Sequence, residues 1–171
     1  MDMSFSDEEV TDILRLLKKV SGRTENSIYA DVFLFALSTG MRAGEILELK
    51  FSDVKFEDEQ AVFNVTKARQ GLSMYIHLPD LAFDIIQRRR SQNPNDTYVF
   101  ESNTNRSKGN PISRISVHRK FKEVGGMVQK KITFNSLRHH YVTYALKEFQ
   151  DPVGLRLDTT PSKKMTKLYS R

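Results

Sequence analysis

Residues 38–54 read Ser-Thr-Gly-Met-Arg-Ala-Gly-Glu-Ile-Leu-Glu-Leu-Lys-Phe-Ser-Asp-Val, and their pattern sets how the neighbouring segments are arranged. An apolar helix carrying Phe33, Phe35 and Leu37 runs into Gly40, a residue free to take the left-handed conformation that ends helices. Arg42 follows at once, and a second short helix then shows Ile46, Leu47 and Leu49 on its apolar side. Arg42 and Glu45 are three apart, so a helix beginning near Arg42 places them on one face. A guanidinium aimed from a tight helix–helix corner offers planar, bidentate donors suited to a phosphate. The alternative is a surface Arg–Glu pair, a common and weak contact of roughly 0–1 kcal/mol.

Outward from this corner the chain divides by periodicity. Ser6 with Glu9 three residues on forms a capping box, and Val10, Ile13, Leu14, Leu17 and Val20 then recur at helical spacing. The next helix covers about 25–39; both helices read as packing elements. After the corner the period becomes two. Strands are expected at 54–56, 61–65 and 74–78, with a turn at 57–59 and a polar hairpin loop at 66–71. Residues 80–90 form an amphipathic helix (Leu81, Ile85, Ile86) closing on Arg88, Arg89 and Arg90, cations that suit the dipole of a last turn. A turn at 93–96 leads to a short buried strand or extended piece at 98–100. Ser113 caps a helix with Ile115, Val117, His118 and Phe121 that ends at Gly125 and Gly126. A last helix covers 132–146. Asn135 and Arg138 share a face of its first turn, and Leu137, Tyr141, Tyr144 and Ala145 turn to the core. The sum is one α+β domain of 171 residues, mainly α-helical, with a small three-stranded antiparallel sheet.

The charge is unevenly placed. Residues 1–60 carry 7 Lys/Arg against 13 Asp/Glu, whereas the whole chain is at +6, so the remainder is strongly basic. Between 102 and 131, eight cations (Arg106, Lys108, Arg114, Arg119, Lys120, Lys122, Lys130, Lys131) meet one acid, Glu123. Such asymmetry points to nucleic acid or, failing that, to a basic solvated surface. A capped helix after a basic loop can present N–H groups and side chains to phosphates. It can also lie in a major groove with Arg114 or Arg119 at base edges. There is no cysteine, which excludes disulfides and thiolate metal sites. The four histidines show no metal spacing, and no apolar run reaches the roughly 20 residues of a membrane span.

Thr-Gly-Met-Arg-Ala-Gly-Glu-Ile-Leu-Glu-Leu, with Ser-Asp-Val after it, closely resembles the first arginine motif of the tyrosine recombinase (phage integrase) family. Further stretches resemble the family in the same order. Thr66-Lys67, before a strand ending in Leu-Pro, is similar to the hairpin that brings a lysine into the family's site. Leu-Arg-His-His at 137–140 resembles the His-x-x-Arg box and the histidine that usually follows it, which makes Arg138 the second arginine and His139 a supporting residue. Ser162, Thr166 and Tyr169 match the segment that ends in the family's nucleophilic tyrosine. Two positions depart: Asn135 stands where the family most often has histidine, and Thr160 where a histidine or tryptophan is expected. Asparagine can bond a phosphate oxygen but cannot titrate, so proton transfer from the nucleophile needs another route.

The resemblance implies the integrase-like DNA breaking-rejoining fold over 1–171, as a catalytic domain without the family's N-terminal core-binding domain. It implies a site-specific recombinase acting through a covalent 3′-phosphotyrosine. Arg42 and Arg138 would clamp the scissile phosphate, Glu45 would support them, Lys67 would be the general acid and Tyr169 the nucleophile. Two guanidiniums can stabilise a pentacoordinate transition state, and a phenol with a pKa near 10 needs such help to attack. Arg69, Arg106, Lys108, Arg114, Arg119 and Lys120 are candidate DNA contacts. No metal or cofactor is expected. The implied partners are double-stranded DNA and further copies of the chain, a tetramer in the synaptic complex, in a cytoplasmic, nucleoid-associated setting. The alternative is a DNA-binding module of the same fold that has lost catalysis.

Overall fold

The helix that runs into Gly40 is apolar on every side, and the other helices gather on it. The structure is a computed structural model and describes residues 4–21, 27–64, 73–102, 104 and 106–149. In chain order its elements are α1 (Asp7–Val20), α2 (Ile28–Thr39), α3 (Ala43–Leu47), β1 (Val54–Lys55), β2 (Gln60–Asn64), β3 (Ser73–His77), α4 (Asp80–Gln92), α5 (Arg114–Val128) and α6 (Phe134–Phe149). Helix α2 packs against α1, α3, α4, α5 and α6. That central place is why Val32, Phe33 and Phe35 are wholly buried and why α2 shows no polar stripe. Removing each Phe ring from water is worth about 1.5–3 kcal/mol. Edge-to-face contacts run from Phe5 to Phe33 (6.3 Å) and from Phe33 to Phe121 (6.1 Å), tying α2 to α5.

The fold is mainly helical with one small antiparallel sheet, as the sequence predicts. The strands lie in the order β1-β2-β3, with Val54 opposite Ala61 and Gln60 opposite His77. The capping box is present: Ser6 Oγ accepts from the Glu9 N–H (3.1 Å) and Glu9 accepts from the Ser6 N–H (3.0 Å). Helix α2 starts at Ile28 rather than near 25, because Ser27 is its N-cap and takes the Ala30 N–H at 3.2 Å.

Three expectations about packing are overturned. The arginines that close α4 do not simply face its dipole. Arg89 is 3% exposed; it bonds Asp31 of α2 at 2.9 Å and the Val99 carbonyl at 2.7 Å. Arg88 meets the same carboxylate, and Arg90 lies over the Phe51 ring. Leu81 is 44% exposed, since α4 turns Ala82, Phe83, Ile85 and Ile86 inward instead. Likewise Ile115 (69% exposed) and Tyr144 (54% exposed) face out. Helix α5 does not stop at its glycines either. It continues to Val128 and ends at Gln129, which takes the left-handed conformation (φ 56°). Gly125 serves close approach: a Cβ there would come within 2.5 Å of the Lys130 carbonyl.

The first residues are pinned far along the chain. Lys130 Nζ donates to the Ser4 carbonyl (2.6 Å), pairs with Glu9 (3.3 Å) and lies over the Phe5 ring. The Phe5 N–H donates to His140 Nδ1 at 3.0 Å. Among the described residues, no helix is long and apolar enough to cross a membrane.

Candidate active site

The corner between α2 and α3 is fixed by three neighbouring groups. Gly40 adopts φ 65°, closing α2 through its N–H to the Ala36 carbonyl. A Cβ at this position would overlap the Tyr141 ring of α6, so only glycine fits both the backbone and the contact. Thr39 Oγ1 bonds the Phe35 carbonyl (2.8 Å) and accepts from the Met41 N–H (3.3 Å), and Met41 is buried. Arg42 is then the exposed N-cap of α3, its side chain leaving a rigid base.

Arg42 and Glu45 do share a face, but the contact between them is made through the backbone. Glu45 Oε1 accepts from the Arg42 N–H at 3.0 Å. Burial pushes the Glu45 carboxyl above its ordinary range, against that hydrogen bond and the charges of Arg42 and Arg138. The carboxylate therefore lies within electrostatic reach of both arginines although they are 96 positions apart.

Helix α6 brings the second arginine. Its start is fixed by a reciprocal pair: the Thr133 N–H donates to Ser136 Oγ (2.9 Å) and the Ser136 N–H donates to Thr133 Oγ1 (3.0 Å). Ser136 is buried, so the first turn carries Asn135 outward and Arg138 half-buried beside it. Contact between the Tyr141 ring and Gly40 sets the height of α6 against the corner.

A cleft of about 1010 Å³ opens between these elements. It is lined by Arg42 and Ala43, by Arg114, Ile115 and His118 of α5, by Lys131 and Thr133, and by Phe134, Asn135 and Arg138. Four cations thus converge on one open, polar-rimmed space, an arrangement that suits an anion with several oxygen acceptors. Arg114 is the first residue of α5, after Ser113, whose hydroxyl takes the Ser116 N–H at 3.1 Å.

Of the sequence candidates, Arg42, Arg114, Asn135 and Arg138 meet in this cleft, with Glu45 electrostatically coupled to two of them. His139 is exposed on α6, one turn beyond Asn135. Arg106 lines a different hollow of about 660 Å³ beside Ser27, Tyr29 and Ser113. Lys108 and Arg119 are exposed. Lys120 is drawn inward, donating to the Val20 carbonyl (3.3 Å) and pairing with Glu123 (3.6 Å). Lys67, Arg69, Thr160 and Tyr169 lie outside the described residues. Sequence reasoning passes over His118, Lys131 and Thr133 as site residues. For His118 a signal exists, since it stands four residues after Arg114 and so on the same helix face.

The chain belongs to the phage integrase family, whose profile matches residues 4–152. It is 27% identical over 144 residues to the tyrosine recombinase XerA of Pyrococcus furiosus, a match covering 84% of this chain and 48% of that protein. The crystal structure of XerA recombinase superposes with a TM-score of 0.69 at 19% identity, over 98% of this chain and 60% of that one. A lambda integrase dimer bound to a COC′ core site gives 0.67 at 19% identity, over 95% and 59%. The chain thus spans about half the length of the curated relative and shares the integrase catalytic fold.

Proposed function

We propose that the chain is the catalytic part of a site-specific DNA strand-transferase. Arg42 and Arg138 hold the scissile phosphate, Asn135 bonds one of its oxygens, Lys67 protonates the leaving 5′-oxygen and Tyr169 attacks. The observation that carries the proposal is convergence. Arg42, Asn135 and Arg138, from two motifs far apart in sequence, line one cleft together with Arg114 and Lys131. Phosphoryl transfer asks mainly for positioning and for charge stabilisation of the equatorial oxygens, and a pair of guanidiniums supplies both. Because the 3′-phosphotyrosine keeps the energy of the broken bond, rejoining needs no nucleotide.

Double-stranded DNA is the substrate, and further copies of the chain complete a synaptic tetramer. Arg69, Arg106, Lys108 and Arg119 are assigned to phosphate contacts along the duplex, with Lys120 engaged instead by the Val20 carbonyl and Glu123, so binding should weaken steeply with salt. Thr160 stands where the family has a histidine or tryptophan, and together with Asn135 it is expected to lower the rate without changing the reaction. A non-catalytic DNA-binding role is the second reading, and Asn135, unable to titrate, is the observation that favours it.

The test is trapping on nicked duplexes with a randomised core, in which the freed strand end diffuses away after cleavage. An SDS-resistant adduct that Tyr169→Phe abolishes supports the proposal. Salt-sensitive binding without any adduct supports the binding module. An adduct that persists in Tyr169→Phe moves the nucleophile elsewhere.

A further inference from the structure

Helix α5 carries an outward stripe that the packing of the fold does not use. Val117, Phe121 and Val124 turn to the core. The face opposite them holds Ile115, Arg119, Lys122 and Gly126 at helical spacing, and all four are exposed. We propose that this stripe lies in the major groove of the bound duplex and that Ile115 reads sequence there, by packing on the 5-methyl group of a thymine. The inference rests on the double-stranded DNA partner proposed above and adds to it a means of choosing a site.

Three observations support the assignment. First, Ile115 is 69% exposed, more than any other large apolar side chain among the described residues, and it lines the cleft beside Arg114 and His118. It therefore stands next to the space where Arg42 and Arg138 would hold a phosphate. In the major groove the thymine methyl is the apolar group that an aliphatic side chain can cover.

Second, the charge along the stripe suits the walls of a groove. Arg119 and Lys122 follow Ile115 one and two turns on, while Glu123, the acid of this helix, is drawn aside to Lys120. Such a face complements phosphates and would repel a second copy of itself.

Third, the fold gives no reason for Gly126. Its neighbour Gly125 makes room for the Lys130 carbonyl, but a Cβ at Gly126 would meet nothing within 4 Å. Gly126 lies inside α5, where alanine would serve the helix better. A bare position is useful where another backbone comes close. Gly126 stands eleven positions after Ile115, about 16 Å along a helix that rises 1.5 Å per residue. The major groove is about 12 Å wide. With Ile115 at base edges, α5 is long enough to carry Gly126 across the groove to a sugar–phosphate wall.

The test measures binding by the full-length protein, not cleavage. Sites are selected from a randomised duplex library with the parent and with Ile115→Ala. Each thymine of the parent's selected site is then replaced in turn by uracil, which removes only the methyl. One such replacement is expected to weaken the parent about fourfold, the factor for burying one methyl group, and to leave Ile115→Ala unaffected. Ile115→Ala should lose the preference for thymine at that position while melting at the parent's temperature. Gly126→Gln should melt no lower than the parent, yet bind every duplex more weakly. The inference is overturned if the two selections yield the same bases, or if uracil costs both proteins equally. It is also overturned if Ile115→Ala alters self-association and leaves base preference intact, the mark of a stripe that faces protein. Gly126→Gln binding as the parent does would overturn the placement in the groove. None of these readings needs an adduct. A site-selective protein that never forms one would remove strand transfer alone, whereas a parent that binds no duplex would remove both proposals.

Discussion

Two sets of arginines flank α2, and they have opposite fates. At the far end, Arg88 and Arg89 of α4 converge on Asp31, with Arg89 buried and bonded as well to the Val99 carbonyl. At the near end, Arg42 stands exposed on the Gly40 corner, across a cleft from Arg138. Both sets sit beside helix ends, and composition alone does not separate them. What separates them is the carboxylate. Asp31 lies inside the fold and takes two guanidiniums directly, so their charge is spent on joining α2 to α4. Glu45 is turned to the Arg42 backbone N–H, and the charges of Arg42 and Arg138 act on it through space. A buried pair of this kind stabilises little relative to apolar residues, yet breaking it by removing one partner is costly. An exposed arginine held from below costs little stability and leaves its donors facing the cleft.

The contrast can be broken from either side. Arg89→Ala should lower the unfolding free energy by about 3–5 kcal/mol, read from denaturant midpoints, because Asp31 is left with a weaker, half-exposed partner. A midpoint equal to the parent's would make the far set ornamental. Arg42→Ala should do the reverse: leave melting unchanged and cut the rate of covalent adduct formation by about 10²–10³-fold. A matching loss of stability would show that the corner needs the guanidinium for folding. Gly40→Ala should cost more than about 1 kcal/mol, since it combines a left-handed backbone with overlap on the Tyr141 ring, and should slow adduct formation as α6 is displaced. If it folds and cleaves as the parent does, the Gly40–Tyr141 contact does not set the distance between the arginines.

The smallest effect concerns Glu45. Its carboxyl titrates higher in the folded protein than in the unfolded chain. The stability it contributes is full below the ordinary carboxylate range and is lost as pH rises through the raised folded value. Glu45→Gln has no such loss, so the melting temperature of the variant relative to the parent should climb over that window. A difference that stays flat with pH would remove Glu45 from the electrostatics of the cleft.

Local signals in the sequence predict local structure well. The Ser6–Glu9 capping box, the stop at Gly40, the period-two strands and the Ser113 cap all depend on residues within a few positions, and all are present. Arg42, Asn135 and Arg138 were legible as a set through family resemblance, since their motifs carry it. What was not legible depends on partners far along the chain. Arg89 is buried because Asp31 lies 58 positions earlier. The helix containing Gly125 continues because the missing Cβ makes room for the Lys130 carbonyl, a tertiary reason that looks in sequence like a helix stop. Leu81 and Tyr144 follow helical spacing but fall just outside the buried arc, where a rotation of one residue decides exposure. His118 was passed over because its neighbours in the cleft come from three other segments.

The pinning of Ser4 and Phe5 gives the fold a mechanical grain. Tension applied at residue 4 does not peel α1 away turn by turn. It arrives in shear at Lys130 and His140, on the turn between α5 and α6 and on α6 itself. That turn continues directly into Lys131 and Thr133 at the rim of the cleft. A load on residue 4 is therefore shared at once between the aromatic core, through Phe5 on Phe33, and the turn that shapes the cleft, through Lys130, so the molecule can transmit a pull without first unravelling.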